Sequence, residues 1–308
     1  MKKVLLAALG LLVIIGVLAG CSANPSTNSN DTASNSTNNS SASSLSGSIS
    51  ADGSSALLPL AQLAADQFES DNPNVSVTVN GGGSGTGLND VLSGTVDIGN
   101  SDVYANEKLD AANAEKLVDH KVCLIGVALV VNSDLATTVS NLTSDQLTDI
   151  FVTGKITNWS QLGGPNEPIT IVNRPGSSGT RALFQKWALG GQTSLEGSSS
   201  LQTDDSNALL AAVGQTPGSI GYLALSYLTT PPSSISIVQI DGVSPTYANI
   251  YNNKYQVWGY EHMYTSGQPT ALVQAFLDYM TSPDMLATAE AHGYGDPTQL
   301  NAAAASSR

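Results

Sequence analysis

Three short polar turns hold the residue types that could grip an anion. They are Asp52-Gly-Ser-Ser-Ala56, Gly81-Gly-Gly-Ser-Gly-Thr-Gly87 and Arg174-Pro-Gly-Ser-Ser-Gly-Thr-Arg181. Each sets glycines and hydroxyls between a strand-like run and a helical pattern. Unpaired N–H groups and the positive end of the helix dipole favour negative charge at such a place. Glycine lets the backbone come close, and Ser and Thr add O–H donors without net charge. Taken singly, Ser or Thr before a helix is most often only an N-cap, and a glycine run only a loop. Three turns with one chemistry are harder to dismiss. The glycine run is not a nucleotide loop: counted from Gly82, Leu88 and Asn89 stand where Lys and Ser or Thr are required. It fails the dinucleotide fingerprint too, because Thr86 falls where the third glycine would be.

Other chemistry-bearing residues read more plainly. Asp204 and Asp205 fit an N-cap before a helix over 207–213 better than a metal site. Trp159 and Trp187 read as packing residues. His120, His262 and His292 could serve as bases for one of the many serines, but from Gly176 the elbow Gly-x-Ser-x-Gly ends on Thr180 rather than glycine.

The elements that must position the turns alternate in type. Strands are predicted over 48–51, 75–80, 96–99, 122–131, 169–173 and 220–223. Helices are predicted over 55–70, around Leu88, Val91 and Leu92, and over 144–151, 179–188, 207–213 and 270–280, the last taken as final. Leu57, Leu60, Leu63, Ala64 and Phe68 recur at helical spacing, and Pro59 is tolerated in a first turn. The run 122–131 is almost continuously apolar, as in a strand buried on both faces. Alternation of this kind predicts an α/β fold with mainly parallel sheet. The length of 308 residues allows two lobes, though no linker in the composition divides them.

Lys+Arg is 11 against Asp+Glu 25, a net charge of −14. That excludes a nucleic-acid binder, which needs a basic footprint, and a protein held to acidic lipid by charge. Three His and two Cys leave little for a zinc site. Residues 1–20 read as a signal peptide: Lys2 and Lys3 precede an apolar stretch over 4–17. Leu18-Ala19-Gly20-Cys21 resembles a bacterial lipobox, which implies cleavage before Cys21 and lipidation of its thiol; the alternative is a transmembrane anchor. Residues 22–46 are Ser, Thr or Asn at 19 of 25 positions, too polar to bury apolar area, so 21–46 is expected to be a disordered tether. Losing Lys2 and Lys3 would take the formal charge to −16. Cys123, left without a partner, reads as a buried, inert thiol.

The motifs also occur in a telling order. Gly53-Ser-Ser-Ala-Leu-Leu-Pro59, Gly83-Ser-Gly-Thr-Gly87, Asp97-Ile-Gly-Asn-Ser-Asp102, Phe151-Val-Thr-Gly-Lys-Ile-Thr-Asn-Trp159 and the third turn are followed by Gly218-Ser-Ile-Gly-Tyr222 and Trp258-Gly-Tyr-Glu-His-Met-Tyr264. Over residues 47–300 the set resembles the phosphate-binding proteins of bacterial phosphate ABC transporters, and most of all their Gram-positive lipoprotein members. The resemblance implies a type II periplasmic-binding-protein fold, two α/β lobes joined by a hinge with the ligand in the cleft. Lobe 1 would be 47–129 plus 258–308 and lobe 2 130–257, with hinge strands at 123–131 and near 255–264.

It also implies a site for inorganic phosphate made of Ser54, Ser55 and the N–H of Ala56, then Ser84, Asp102, Arg174 and Ser178-Gly179-Thr180. Arg174 would supply the full positive charge, and Asp102 would accept the proton that phosphate carries and sulfate lacks. Many members carry an acidic residue just before the Ser-Gly-Thr turn; Gly176 and Ser177 stand there in this sequence. The expected role is capture of phosphate outside the membrane and delivery to a permease pair with its cytoplasmic ATPase, by a monomer anchored through lipid. No catalysis, cofactor or metal is implied. The rival readings are a receptor for another oxyanion, such as sulfate or molybdate, and a secreted serine hydrolase.

Overall fold

A computed structural model describes residues 45–195 and 201–308. The chain begins with β1 (Gly47–Gly53), α1 (Leu58–Asp71), β2 (Val75–Val79), α2 (Ser84–Ser93), β3 (Ile98–Ser101) and α3 (Ala111–Ala114). It continues through β4 (Leu117–Asn132), β5 (Asn141–Leu142), α4 (Ser144–Phe151), β6 (Thr170–Asn173), α5 (Gly179–Ala188), β7 (Leu201–Gln202) and α6 (Ser206–Gln215). It ends with β8 (Ser219–Ala224), β9 (Ile235–Ile240), α7 (Tyr247–Tyr251), β10 (Trp258–Ser266), α8 (Ala271–Met280), α9 (Pro283–Ala291) and α10 (Ala302–Ala305). The segments expected to be a signal peptide and, nearly entirely, a tether, with Cys21 between them, lie outside the described residues.

The strand β4 organises everything else. Its first part pairs antiparallel with β10 as far as Gly126 opposite Trp258. From Val127 onward it pairs antiparallel with β8, and over Leu129–Asn132 with β9 on its other edge. One continuous strand thus serves two groups of strands. In the first, β10 hands on to β3, and β3, β1 and β2 run parallel. In the second, β8, β6 and β7 run parallel. The expectation of a mainly parallel sheet is therefore corrected. The outer strands are parallel because helices connect them, but β4 and β10, crossing the middle, run antiparallel to every neighbour.

Side chains explain the placement. Every residue from Val122 to Asn132 is buried, and apart from Asn132 none has a polar side chain stronger than a thiol, so β4 does not alternate over that span. In the first group, β1 and β2 alternate and bury Ile49, Ala51, Val75, Val77 and Val79 against α1 and α8. Phe68 of α1 meets Phe276 of α8 edge-on, with ring centroids 5.3 Å apart, a geometry aromatic quadrupoles favour. In the second group Phe151, Phe184 and Tyr222 cluster, the last two stacked at 4.2 Å. Trp159 is fully buried and donates its indole N–H to the Gly218 carbonyl at 2.9 Å. Trp187 packs beneath the Arg308 guanidinium, 3.5 Å from its ring centroid, with Trp258 on the other side at 4.2 Å. Both tryptophans are packing residues, as expected. Cys123 is buried, and burial raises its thiol pKa well above the usual range.

Three further expectations need correcting. The helix at 271–280 is not final: α9 follows it, capped by Ser282 with Pro283 in its first turn. Leu45, inside the segment read as unable to bury apolar area, packs against the first core. The strand predicted at 96–99 runs two residues later, because Gly99 and Asn100 continue the pairing with β10. Strand β9 and helix α7 were not predicted at all.

Because β4 carries both cores, its side chains should dominate stability. Leu129→Ala, at a fully buried position, is expected to cost about 2–5 kcal/mol in equilibrium urea unfolding. Ile237→Ala on the neighbouring strand, 38% exposed, should cost about 1 kcal/mol or less.

Candidate functional site

The three turns meet. The first follows β1, the second opens α2, and the third links β6 to α5. Their meeting point is Asp102, at the end of β3 and 2% exposed. Ser54 Oγ of the first turn donates to its Oδ1. Thr180 Oγ1 of the third donates to its Oδ2 at 2.7 Å. Its backbone N–H donates to Ser84 Oγ of the second at 3.0 Å. A buried carboxylate is tolerable only with donors of this kind around it.

Close approach is what the glycines permit. A Cβ at Gly179 would lie 2.1 Å from Ser84 Oγ and 2.9 Å from Asp102 Cβ. Gly83, at φ 89°, caps α2, and a Cβ there would strike the Asp204 carboxylate at 1.9 Å. Helix ends add donors. Ser178 caps α5 by accepting from the Arg181 N–H, which leaves its own O–H proton available. The N–H groups of Ser55, Ser84, Gly179 and Thr180 have no protein acceptor among the described residues, so they are the orphan donors that helix starts and tight turns offer to an anion.

Arg174 is fully buried at the end of β6. Its guanidinium donates to the Asp204 carbonyl and to Ser206 Oγ, both at 3.1 Å, while its Nε has no partner. Burial lowers its pKa, opposed by nearby Tyr222 and by the charges of Asp204 and Asp102. Arg181, also buried, props the turn by donating to the Arg174 carbonyl at 2.7 Å.

All nine residues expected to form the site are buried and close together: Ser54, Ser55, Ala56, Ser84, Asp102, Arg174, Ser178, Gly179 and Thr180. The Ala56 N–H is directed to Ser54 Oγ at 3.1 Å, and so is that of Leu57 at 3.0 Å. Ser55 Oγ reaches across to the Asp204 carbonyl at 2.6 Å and to Ser206 Oγ at 3.2 Å. The three histidines sit elsewhere, bonded to Thr265, Asp119 and the Thr288 carbonyl.

Sequence reasoning missed four contributors. Asp205 alone caps α6. Asp204 instead turns its carboxylate inward, 3.0 Å from Ser177 Oγ and 3.9 Å from Arg174, and burial raises its pKa. The adjacent pair of aspartates was the available signal. Lys108 donates to the Gly176 and Ser178 carbonyls at 2.8 and 2.9 Å, and burial lowers its pKa against the pull of Asp102 and Asp204. Tyr227 donates to the Ser55 carbonyl at 2.7 Å, and Ser206 holds Arg174. No motif marked these three.

Comparison with known proteins gives the arrangement a context. A family profile described as a PBP superfamily domain matches residues 36–284. The phosphate-binding protein PstS of Bacillus subtilis is 48% identical over 233 residues, 76% of this chain and 75% of that protein. A Clostridium perfringens protein assigned as a phosphate ABC transporter substrate-binding protein, solved with bound phosphate, is similar in structure. It superposes with a TM-score of 0.72 at 28% identity, covering 81% of this chain and 99% of that one. An ABC-type phosphate transport receptor from Vibrio cholerae gives 0.65 at 26% identity, covering 81% and 100%.

Gly179→Ala tests whether close approach holds the turns together. Alanine is the better helix former, so without a clash the variant would gain stability. The added methyl instead meets buried atoms, and a loss of roughly 1–3 kcal/mol is expected in urea unfolding, with a larger radius of gyration in small-angle scattering.

Proposed function

This chain belongs to the PBP superfamily and, within it, to the phosphate-binding PstS proteins, and from that we infer that it captures inorganic phosphate between two α/β lobes and delivers it to an ABC importer. It is a transport receptor, not an enzyme. The observation that carries the reading is the meeting of hydroxyls from three separate turns on Asp102, with the buried Arg174 guanidinium alongside.

Each residue has a separable task. Arg174 grips two phosphate oxygens, as a planar guanidinium can. The orphan N–H groups of Ser55, Ser84, Gly179 and Thr180 and the hydroxyls of Ser84 and Ser178 supply further donors as local dipoles. Ser54, Ser55 and Thr180 have one hydroxyl proton each and turn it to phosphate from Asp102 or the Asp204 carbonyl, as the Ala56 amide turns from Ser54. Charge-assisted bonds of this type are worth about 1.5–3 kcal/mol each. Asp102 can only accept. Phosphate near neutral pH still has a proton to give it, whereas sulfate would face it with an unpaired, repelling charge. The overall negative charge does not veto such a site, because surface charges are screened over about 8–10 Å while these donors act at contact.

Lobe 1 comprises 47–129 plus 258–308 and lobe 2 130–257. The change of partners along β4, and the crossing at Val257 where the Val127 N–H bonds its carbonyl at 2.9 Å, support that division. The chain is a monomer that meets a permease pair served by a cytoplasmic ATPase. It is held outside the cell membrane by lipid on Cys21 and the tether over 22–46. Among the described residues no helix is long and apolar enough to cross a membrane.

Calorimetric titration of protein stripped of anion by unfolding and refolding is the decisive measurement. Phosphate should bind tightly and sulfate and molybdate should give no heat. Asp102→Asn should weaken phosphate by about tenfold to a hundredfold and admit sulfate. Wild type that bound sulfate or molybdate and ignored phosphate would overturn the reading. Separately, Cys21→Ser should abolish metabolic labelling by a palmitate analogue and release the protein into the medium; retention at the membrane would sink the lipid-anchor proposal.

A further inference from the structure

Behind Asp102 lies a second carboxyl group that phosphate binding, as described above, does not use. Glu261 belongs to β10 and is fully buried. β10 pairs antiparallel with β3, His262 opposite Ser101. One further step in that register sets Glu261 opposite Asp102, and residues so opposed have Cβ atoms about 4.5–5.5 Å apart. Gly259, two residues earlier and therefore on the same face of the strand, confirms which way that face looks. A Cβ there would lie 3.3 Å from the Asp102 carbonyl oxygen.

Nothing else satisfies this carboxyl group. Neither of its oxygens has a hydrogen-bond partner among the described residues, and none of the ion pairs there involves it. The titratable groups around it are Asp102, Cys123 directly across on β4, Tyr247 of α7 and Tyr294 beyond α9. All are acids, and none brings positive charge. A buried, unpaired carboxylate in such surroundings takes up a proton rather than stay charged. Burial first, and then the charge of Asp102, push the Glu261 pKa well above the usual carboxylate range.

We propose that Glu261 is a positioning residue of the anion site, a neutral carboxylic acid whose O–H is given to Asp102 from the β10 side, so that the two carboxyl groups together hold one proton and one negative charge. The inference rests on the phosphate reading. Asp102 accepts from Ser54 and Thr180, and a carboxylate has lone pairs for further donors. A donor fixed behind it sets the rotation of its carboxylate plane. Asp102 then accepts the phosphate proton as a hydrogen bond without removing it. Were Glu261 ionised instead, two adjacent negative charges would stand against an incoming anion.

Two measurements test this. Infrared spectra of the ligand-free protein in mildly alkaline buffer should contain the carbonyl stretch of a protonated carboxylic acid, shifting in heavy water. That band should vanish in Glu261→Gln. In calorimetry, Glu261→Gln keeps a neutral donor and should bind phosphate within about threefold of wild type while still excluding sulfate. Glu261→Met, of similar volume but without a donor, should lose about tenfold to a hundredfold. A merely structural role would leave no such split between Gln and Met. The proposal is overturned if wild type lacks the band, if the band survives Glu261→Gln, or if Glu261→Met binds like wild type. Failure of wild type to bind phosphate would instead defeat the receptor reading, and the positioning role with it, while the band would still decide whether Glu261 carries a proton.

Discussion

Burial of the Asp102 carboxylate is the constraint around which the molecule is arranged. A charge held at 2% exposure must be surrounded by donors, and no single loop could supply them. They come instead from turns far apart in sequence, Ser54 and Thr180 through hydroxyls, with Ser84 accepting the Asp102 N–H. The glycines beside those residues are there because backbones must approach within contact distance. The turns that make the carboxylate bearable are also those that hold unpaired N–H groups for an oxyanion. Site and local stability are therefore one problem with one solution.

Bringing the turns together requires a fold in which two groups of strands share a strand. β4 does this, and β10 returns beside it. The contacts across the meeting place are mostly single hydrogen bonds: Ser55 to the Asp204 carbonyl, the Gly85 N–H to the Ser177 carbonyl at 2.8 Å, Tyr227 to the Ser55 carbonyl, and Lys108 to two carbonyls of the third turn. Each such bond contributes only about 0.5–1.5 kcal/mol. One apolar core lies within the first strand group, whereas the other continues from the second group along β4 to Leu124, Ile125, Ala56 and Val103. Apolar packing thus joins the groups along the shared strand, while the turns themselves are joined by polar contacts.

Electrostatics follows the same division between surface and cleft. The chain is acidic overall, but Arg174, Arg181 and Lys108, three of its 11 basic residues, are directed to the third turn and its neighbours. Asp204 partly offsets Arg174, which also donates to its carbonyl, and takes a hydrogen bond from Ser177. Gly176 and Ser177 bring no acidic side chain to the third turn, yet the guanidinium is not without a carboxylate nearby: Asp204, from another part of the chain, lies 3.9 Å away.

Much of this was legible in the residues themselves. The three turns and the helices at 144–151 and 179–188 are local signals. A cap, a glycine or an apolar period acts within a few residues, so spacing alone reveals it. The same holds for the buried character of β4. The parts of Asp102 and Arg174 came from the order of the motifs and the resemblance it carries. What tertiary structure decided is whatever depends on partners distant in the chain. The antiparallel centre of the sheet and the placing of Glu261 behind Asp102 depend on register between strands more than a hundred residues apart. The inward turn of Asp204 and the reach of Lys108 depend on partners in the third turn, brought near only by the fold. Side chains at 102 and 261 carry no mark of each other in sequence. Only the pairing of β3 with β10 makes one carboxyl group the environment of the other.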